Sequence, residues 1–510
     1  MIKNGYGGKK QTVLMFPWLG HGHISPFLEL AKKLTNTNRF NIHLCSTPTN
    51  LDSIKKTCPP SVNLIELHLP TLPDLPPHLH TTNGLPLQLM STLKQAFDMA
   101  SPRFSDILIN LKPDLLIYDI IQPWAPIAAA GLGIPSVVFI TTSASASMVH
   151  FQLGTSKNIP FPFSSTFYYH PYEDGHVSKR TVNKEADRVT ECVQSSSSIV
   201  LVKSCKEIEA KYAHHLSRLI DKRVVPVGPL VAEPPKLETK QNNVIDWLDT
   251  KSVGSTVFVS FGSEYFLSNA DLAEIAYGLE MSNVNFIWVL RFPKGENRTI
   301  DEALPQGFIE RVKSRGLVMD GWAPQARILG HKNIGGFVSH CGWNSVLEAM
   351  KFGVPVIAMP MHLDQPINAR LAVAVGVGVE VVRDDNGKLK RETISSVLKR
   401  VVMSELGNVV RENAKKLGDD LRVKKDEEID VVTKELIKLC KSAKKLEKIK
   451  IEKIKSEVIL TNKLQKTKSE SFGGDDGVRD GVRGGGTNKL QKTKSEAFAI
   501  CALHAMKGGV

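Results

Sequence analysis

The chain has 510 residues, 42% of them hydrophobic, and a net charge of +13. That length exceeds one ordinary core, so two or three domains are expected. Sixteen Lys and Arg against eight Asp and Glu fall in residues 441–510, which leaves the first 440 residues at +5 and removes the charge argument for nucleic-acid binding by the body of the chain. Seven cysteines without a CxxC pair read as reduced thiols of a cytoplasmic protein. The apolar "TVLMFPWLG" near the N-terminus is too short for a signal peptide or a membrane span.

In chain order, "TVLMFPW", "NIHLCST", "NLIELHL", "DLLIYDI", "PSVVFI" and "SIVLVKS" read as strands, with helical patterns such as "SPFLELAKKL" and "PWAPIAAAGL" between them. This alternation predicts a parallel sheet with helices on both faces. The loop after the first strand carries His21 and His23, spaced as two metal ligands could be, though no third ligand is nearby. Asp119 closes the fourth strand, where it could simply cap the next helix. The Pro-rich, polar stretch Val227–Asn243 breaks the pattern and reads as a linker, placed at 231–243.

A second series follows: "TVFVSFGS", "NFIWVL", "GLVMDGWA", "GGFVSH", "PVIAMP" and "GVGVEVV", then charged helices ending at "DEEIDVVTKELIKLC". The fold class is therefore α/β, with doubly wound Rossmann-like domains at 1–230 and 244–440 and a cleft between their strand ends. Residues 441–510 are lysine-rich, repeat "TNKLQKTKSE" at 461–470 and 487–496, and carry a glycine-rich spacer. They are expected to be disordered, either as a tail outside the chemistry or as an arm for nucleic acid or a membrane surface.

Neither GxGxxG nor GxxxxGK[ST] follows any of these strands, as a dinucleotide oxidoreductase or P-loop NTPase would need. DxD and HExxH are also missing, so no metal-dependent site is expected. The stretch "VSHCGWNSVLEAM" (Val338–Met350) instead puts a glycine-containing turn between a strand and a helix. Gly342 would let a ligand approach the backbone, and Asn344 and Ser345 lie in the first turn, where helix N–H groups lack partners. With His340 as a further donor, the turn reads as a site for a pair of phosphates or as a plain Asn/Ser cap.

From Trp322 to Gln365 the chain reads "WAPQARILGHKNIGGFVSHCGWNSVLEAMKFGVPVIAMPMHLDQ" and resembles the signature box of the plant secondary-product UDP-glycosyltransferases. The resemblance spans about residues 10–440 and includes "SFGS" at Ser260–Ser263 and "GHISP" at Gly22–Pro26. It implies the GT-B fold of two facing Rossmann-like domains, a UDP-sugar co-substrate and no metal or other cofactor. Trp322 would stack on uracil, with the Ala323 backbone pairing with its edge. Gln325 and Glu348 would hold the ribose; His340, Asn344 and Ser345 would bind the diphosphate, with Gly262 and Ser263 covering it. Trp343, Asp364 and Gln365 would meet the sugar, and Gln365 usually accompanies UDP-glucose.

The same resemblance makes His23 the base that deprotonates the acceptor and Asp119 the carboxylate that orients it. Inversion at the anomeric carbon would give a β-glucoside. The segments Leu69–Pro86 and Ile140–Met148 are expected to be long loops lining the acceptor pocket. "HGHISPFLELAKKL", "HTTNGLP", "SFGSEYFLS" and "MPMHLDQPINARL" look like the branch that adds a sugar to a flavonoid, terpenoid or apocarotenoid glycoside. Transfer to an aglycone hydroxyl or carboxyl, or from UDP-rhamnose or UDP-xylose, is the alternative. The expected partners are a UDP-sugar and a small glycoside, without nucleic acid, and the chain is expected to be a monomer.

Overall fold

The computed structural model describes residues 9–154, 158–173, 184–234, 242–263, 265–293, 296–423 and 426–471. The first sheet has seven strands, β1 (Gln11–Phe16), β2 (Phe40–Ser46), β3 (Val62–Glu66), β4 (Leu115–Tyr118), β5 (Ser136–Ile140), β6 (Ile199–Val202) and β7 (Arg223–Pro226), in the order β3-β2-β1-β4-β5-β6-β7. The second has six, β8 (Thr256–Ser260), β9 (Asn285–Leu290), β10 (Gly316–Asp320), β11 (Ile334–Ser339), β12 (Val356–Ala358) and β13 (Gly378–Glu380), in the order β10-β9-β8-β11-β12-β13. The strand pairings are parallel.

The strands form because both faces of each sheet are covered, which favours unbroken apolar runs over alternation. Val13 and Met15 of β1 enter one core with Ile42, Ile117 and Phe139, while Leu14 and Phe16 enter the opposite core with Leu116, Tyr118 and Val138. In the second sheet Phe258 and Ile287 face one core, and Val257, Val259 and Trp288 face the other. Strand β7 escapes the sequence reading because "RVVP" is short, carries Arg and Pro, and pairs only with β6. Those are the marks of an edge strand.

Four helices frame the cleft: α1 (His21–Asn36), α2 (Ala144–Gly154), α3 (Trp343–Phe352) and α4 (Gln365–Ala374). His21 and His23 lie in the first turn of α1 and not in a loop, the His23 N–H donating to the Gly20 carbonyl at 3.0 Å. The expected loop at Ile140–Met148 is also mostly absent. Ile140 ends β5 and Ala144 already opens α2. Ser143 caps it locally, its Oγ accepting from the Ala146 N–H at 3.0 Å, and buried Glu209 adds a distant cap by accepting from the N–H groups of Ala144 at 3.1 Å and Ser145 at 2.7 Å. Residues 69–86 do form a long connection, tied to the turn between β1 and the first helix by Thr82 N–H donating to the Leu19 carbonyl at 3.0 Å.

The two domains share a core. Met148, Val149, Tyr212 and Leu216 of the first cluster with Trp343, Leu347, Ile367 and Leu371 of the second. Of the expected linker, residues 235–241 lie outside the described residues, and Asn242 already begins a helix.

The C-terminal helix α5 (Glu427–Ser471) corrects two expectations. Ile429, Val432, Leu436 and Cys440 pack with Val13, Phe27 and Ile117, so residues 427–440 return to the first domain instead of closing the second. Residues 441–471, expected to be disordered, continue the helix. They contain no Gly or Pro, are rich in strong helix formers, and carry the spaced pairs Lys448–Glu452 and Lys453–Glu457. The second "TNKLQKTKSE" lies outside the described residues, as does the glycine-rich spacer. Among the described residues no helix is long and apolar enough to cross a membrane.

Candidate active site

Strands β1 and β4 are neighbours where the winding of the first sheet reverses, and doubly wound sheets bind ligands beyond the strand ends at such a point. Asp119 follows β4 there, fully buried. Its Oδ2 accepts from the Trp18 N–H at 3.1 Å and lies 2.8 Å from His23 Nδ1, while Oδ1 accepts from the Ile120 N–H at 2.8 Å. Thr141 Oγ1 is 3.0 Å from the same imidazole nitrogen. A proton held on Nδ1 by the carboxylate puts the basic lone pair of His23 on Nε2.

The second sheet reverses between β8 and β11, and the residues after those strands form the opposite wall. After β11, Cys341 takes φ +64°, an uncommon conformation for a side chain with a Cβ, which turns the chain sharply into α3. The N-terminus of α3 has Gly342 as its cap residue and no side-chain hydrogen bond there, so its first N–H groups remain available to an anion. The His340 ring lies against both Gly262 and Gly342, where an added Cβ would come within 2.7 Å and 2.5 Å of Nε2. Gly262 also needs φ +79°. Burial, then the neighbouring His362, push the His340 pKa down to about 4, so the ring is neutral near pH 7.

Further along the same wall, Gln325 Nε2 donates to Glu348 Oε2 at 2.6 Å and to Ser345 Oγ at 3.3 Å. Burial raises the Glu348 pKa, against the pull of Gln325 and Lys203. Trp322 is 59% exposed and Ala323 is buried beside it. The Arg291 guanidinium lies 5.1 Å from the Trp322 ring, and the His21 ring meets it edge-on at 5.5 Å. Neither contact is visible in the sequence reading, since both partners lie far from the box in sequence.

Side chains close the cleft from both sides. Thr142, next to the threonine on His23, donates to Asp364 Oδ2, which also accepts from Asn368 Nδ2 at 2.9 Å. His23 and Asp364 are therefore held by consecutive residues of one turn. Gly262, two residues beyond the end of β8, stands beside the His340 ring, and Ser263 is the next residue.

Three expected contacts look different. The Trp343 indole is buried in the shared core with Nε1 donating to the Lys203 carbonyl at 2.6 Å, so only its backbone faces the cleft side of the turn. Gln365 is buried, and its Oε1 accepts from the N–H groups of Met361 and His362 at 3.0 Å each, because those loop donors have no strand partner. Asn344 gives its side chain to the first domain, with Nδ2 donating to the Gly22 carbonyl at 2.9 Å and Oδ1 accepting from Lys203. Lys203 is one of the residues the sequence reading missed: a lysine closing an apolar strand reads as solvated, yet it is 2% exposed.

Two doubly wound sheets, meeting switch point to switch point across one cleft, make this a GT-B protein. Residues 134–432 match the model of the family described as UDP-glucoronosyl and UDP-glucosyl transferase. UDP-glucosyltransferase 29 of Panax ginseng is 50% identical over 440 residues, covering 85% of this chain and 98% of that protein. Beta-D-glucosyl crocetin beta-1,6-glucosyltransferase of Gardenia jasminoides is 47% identical over 437 residues, covering 83% and 98%. The solved structure of Phytolacca americana UGT2 complexed with UDP-2fluoro-glucose and pterostilbene superposes with a TM-score of 0.69 at 26% identity, covering 84% of this chain and 99% of that one. The chain belongs to the UDP-glycosyltransferase family and is a glycosyltransferase that uses a UDP-sugar.

Proposed function

We propose that the chain is an inverting, UDP-glucose-dependent glucosyltransferase that forms a β-glucosidic bond on a sugar hydroxyl of a plant glycoside. The observation that carries the reading is the His23–Asp119 pair at 2.8 Å, joined through Thr141–Thr142 to Asp364 on the opposite wall. His23 Nε2 takes the proton of the acceptor hydroxyl as its oxygen attacks the anomeric carbon. The new C–O bond forms opposite the bond to UDP, which breaks with its electron pair leaving on the phosphate oxygen. Asp119 keeps the Nδ1 proton in place and stabilises the imidazolium.

Charge on the departing diphosphate is met by the uncapped N–H groups of α3, by neutral His340 as a hydrogen-bond donor, and by Ser345 with the backbone at Gly262–Ser263. Those groups are fixed before the substrate arrives, so the proposal requires no metal ion. Trp322 offers an exposed indole face to uracil, and Glu348 accepts from the ribose hydroxyls. Asp364 meets the sugar hydroxyls; Gln365 helps through the loop it fastens.

Glycoside extension is supported by the quoted sequence blocks and by relatives whose names specify glucosyl transfer, one of them to a glucosylated acceptor. The test offers UDP-glucose, UDP-rhamnose and UDP-xylose against aglycones and their monoglucosides, with and without EDTA, and reads products by mass. One glucose added to the monoglucosides, undiminished by EDTA, is the expected result. Transfer to aglycones alone, or strict need for a divalent cation, would overturn the corresponding part.

A further inference from the structure

Lys203 lies outside the signature box and the catalytic pair, yet it is placed between them. It directly follows β6 and is 2% exposed. Its ammonium donates to Asn344 Oδ1 in the first turn of α3, and its carbonyl accepts from Trp343 Nε1 at 2.6 Å. The other side-chain atom of Asn344, Nδ2, donates to the carbonyl of Gly22 at 2.9 Å, one residue before His23. Two carboxylates act on the ammonium, Glu348 of α3 and Glu29 of α1. One run of bonds therefore leads from the donor-side helix through Lys203 and Asn344 to the turn that carries the base.

The next residue continues the pattern. Ser204 Oγ donates to Glu209 at 2.7 Å, the carboxylate that caps α2 and so fixes the turn holding Thr141 and Thr142. Burying an ammonium costs several kcal/mol, and a buried ion pair is often no more stable than an apolar replacement. A lysine in this position therefore needs a reason other than packing.

We propose that Lys203 is a positioning residue, holding Asn344 between the domains so that the His23 turn and the N-terminus of α3 keep one register. The inference rests on the reading of His23 as base and α3 as the diphosphate site. With Lys203 on Oδ1 and Gly22 on Nδ2, the Asn344 amide has one orientation and acts as the spacer between the reacting partners. Catalysis is sensitive to such a spacing, since a misplacement of about 1 Å can cost on the order of 100-fold.

The test compares Lys203→Met and Lys203→Arg with the unaltered enzyme and with His23→Ala, all in the full chain. It measures kcat, UDP affinity by calorimetry and the pH dependence of kcat. In Lys203→Met, kcat should fall about 10- to 100-fold, and UDP affinity should fall by less than kcat, by the share that passes through Glu348. Lys203→Arg keeps charge and donors and should recover part of kcat. Burial lowers the Lys203 pKa to about 8; above that pH the ammonium loses its charge, its pull on Glu348 and Glu29 fades, and kcat should decline. The arginine variant should move that decline to higher pH. A Lys203→Met kcat within about threefold of the unaltered enzyme, or a loss of UDP affinity parallel to the loss of kcat, overturns the proposal. Near-normal turnover in His23→Ala would instead overturn the reading of the base. If Lys203→Met does not fold, the pH profile of Lys203→Arg decides: an unmoved alkaline limb overturns the proposal.

Discussion

Asp119 shows how one residue can be legible in identity and hidden in setting. Its two oxygens are met by the N–H groups of Trp18 and Ile120 and by the His23 ring, so a fully buried carboxylate has its charge compensated on several sides. In the proposed reading Glu348 holds the ribose, remote from the reacting carbon. Glu348→Ala should raise the donor KM about 10-fold or more, the scale of a hydrogen bond to a charged group, with kcat changed far less. Because the Glu348 carboxylate also acts on Lys203, Trp322→Ala is the cleaner companion, and it too should raise the donor KM. Steady-state kinetics with varied UDP-glucose checks both; a variant that alters only the choice of acceptor would misplace the nucleotide site. The turn at His340–Ser345 was legible as a turn because its residues are consecutive, while the roles of the box residues came from the family resemblance. Lys203, Arg291, Thr141 and Thr142 were not legible, since each acts on a partner far away in sequence. Trp343 and Gln365 were assigned to sugar contacts, whereas their side chains hold the Lys203 carbonyl and the 361–362 loop.

Among the elements, the C-terminal helix separates what local pattern can tell from what it cannot. Helix formers without a breaker from 427 to 471 are readable as helix, but which sheet receives the apolar residues is a tertiary choice. Ile429, Val432, Leu436 and Cys440 share a core with β1. Each fully buried side chain of this size contributes about 1.5–3 kcal/mol, against a total stability on the order of 5–15 kcal/mol. Truncation after Val423 should therefore leave no cooperative thermal transition. Truncation after Cys440 takes half-exposed Lys444 from Asp114 and Gln11, worth about 0–1 kcal/mol, and Tm and transfer should be nearly unchanged. Calorimetry of both truncations checks this; equal loss in the two would mean that residues 441–471 pack on the body. Strands were read well wherever both faces are buried. Edge strand β7 was missed because its Arg and Pro suit an edge and not a core.

At the scale of the whole molecule, the two sheets bring their switch points together, and the domains are joined by more than the linker. Arg370 of α4 donates to Glu173 of the first domain at 2.8 Å, and α2 shares its core with α3 and α4. This arrangement places the His23–Asp119 pair on one wall and an uncapped helix N-terminus on the other, as the proposed displacement needs. Folding class and domain count follow from strand–helix alternation, but the two walls meet through Asn344 on Gly22 and Lys203 and through Asp364 on Thr142. No periodicity in the sequence reports that. The central claim is that His23 removes the acceptor proton while the donor is held independently across the cleft. The direct measurement is transfer from UDP-glucose to a monoglucoside by His23→Ala, with UDP affinity determined on the same protein. The account predicts a loss on the order of 10²–10⁴-fold in turnover with UDP affinity nearly unchanged; near-normal turnover in that variant would contradict it.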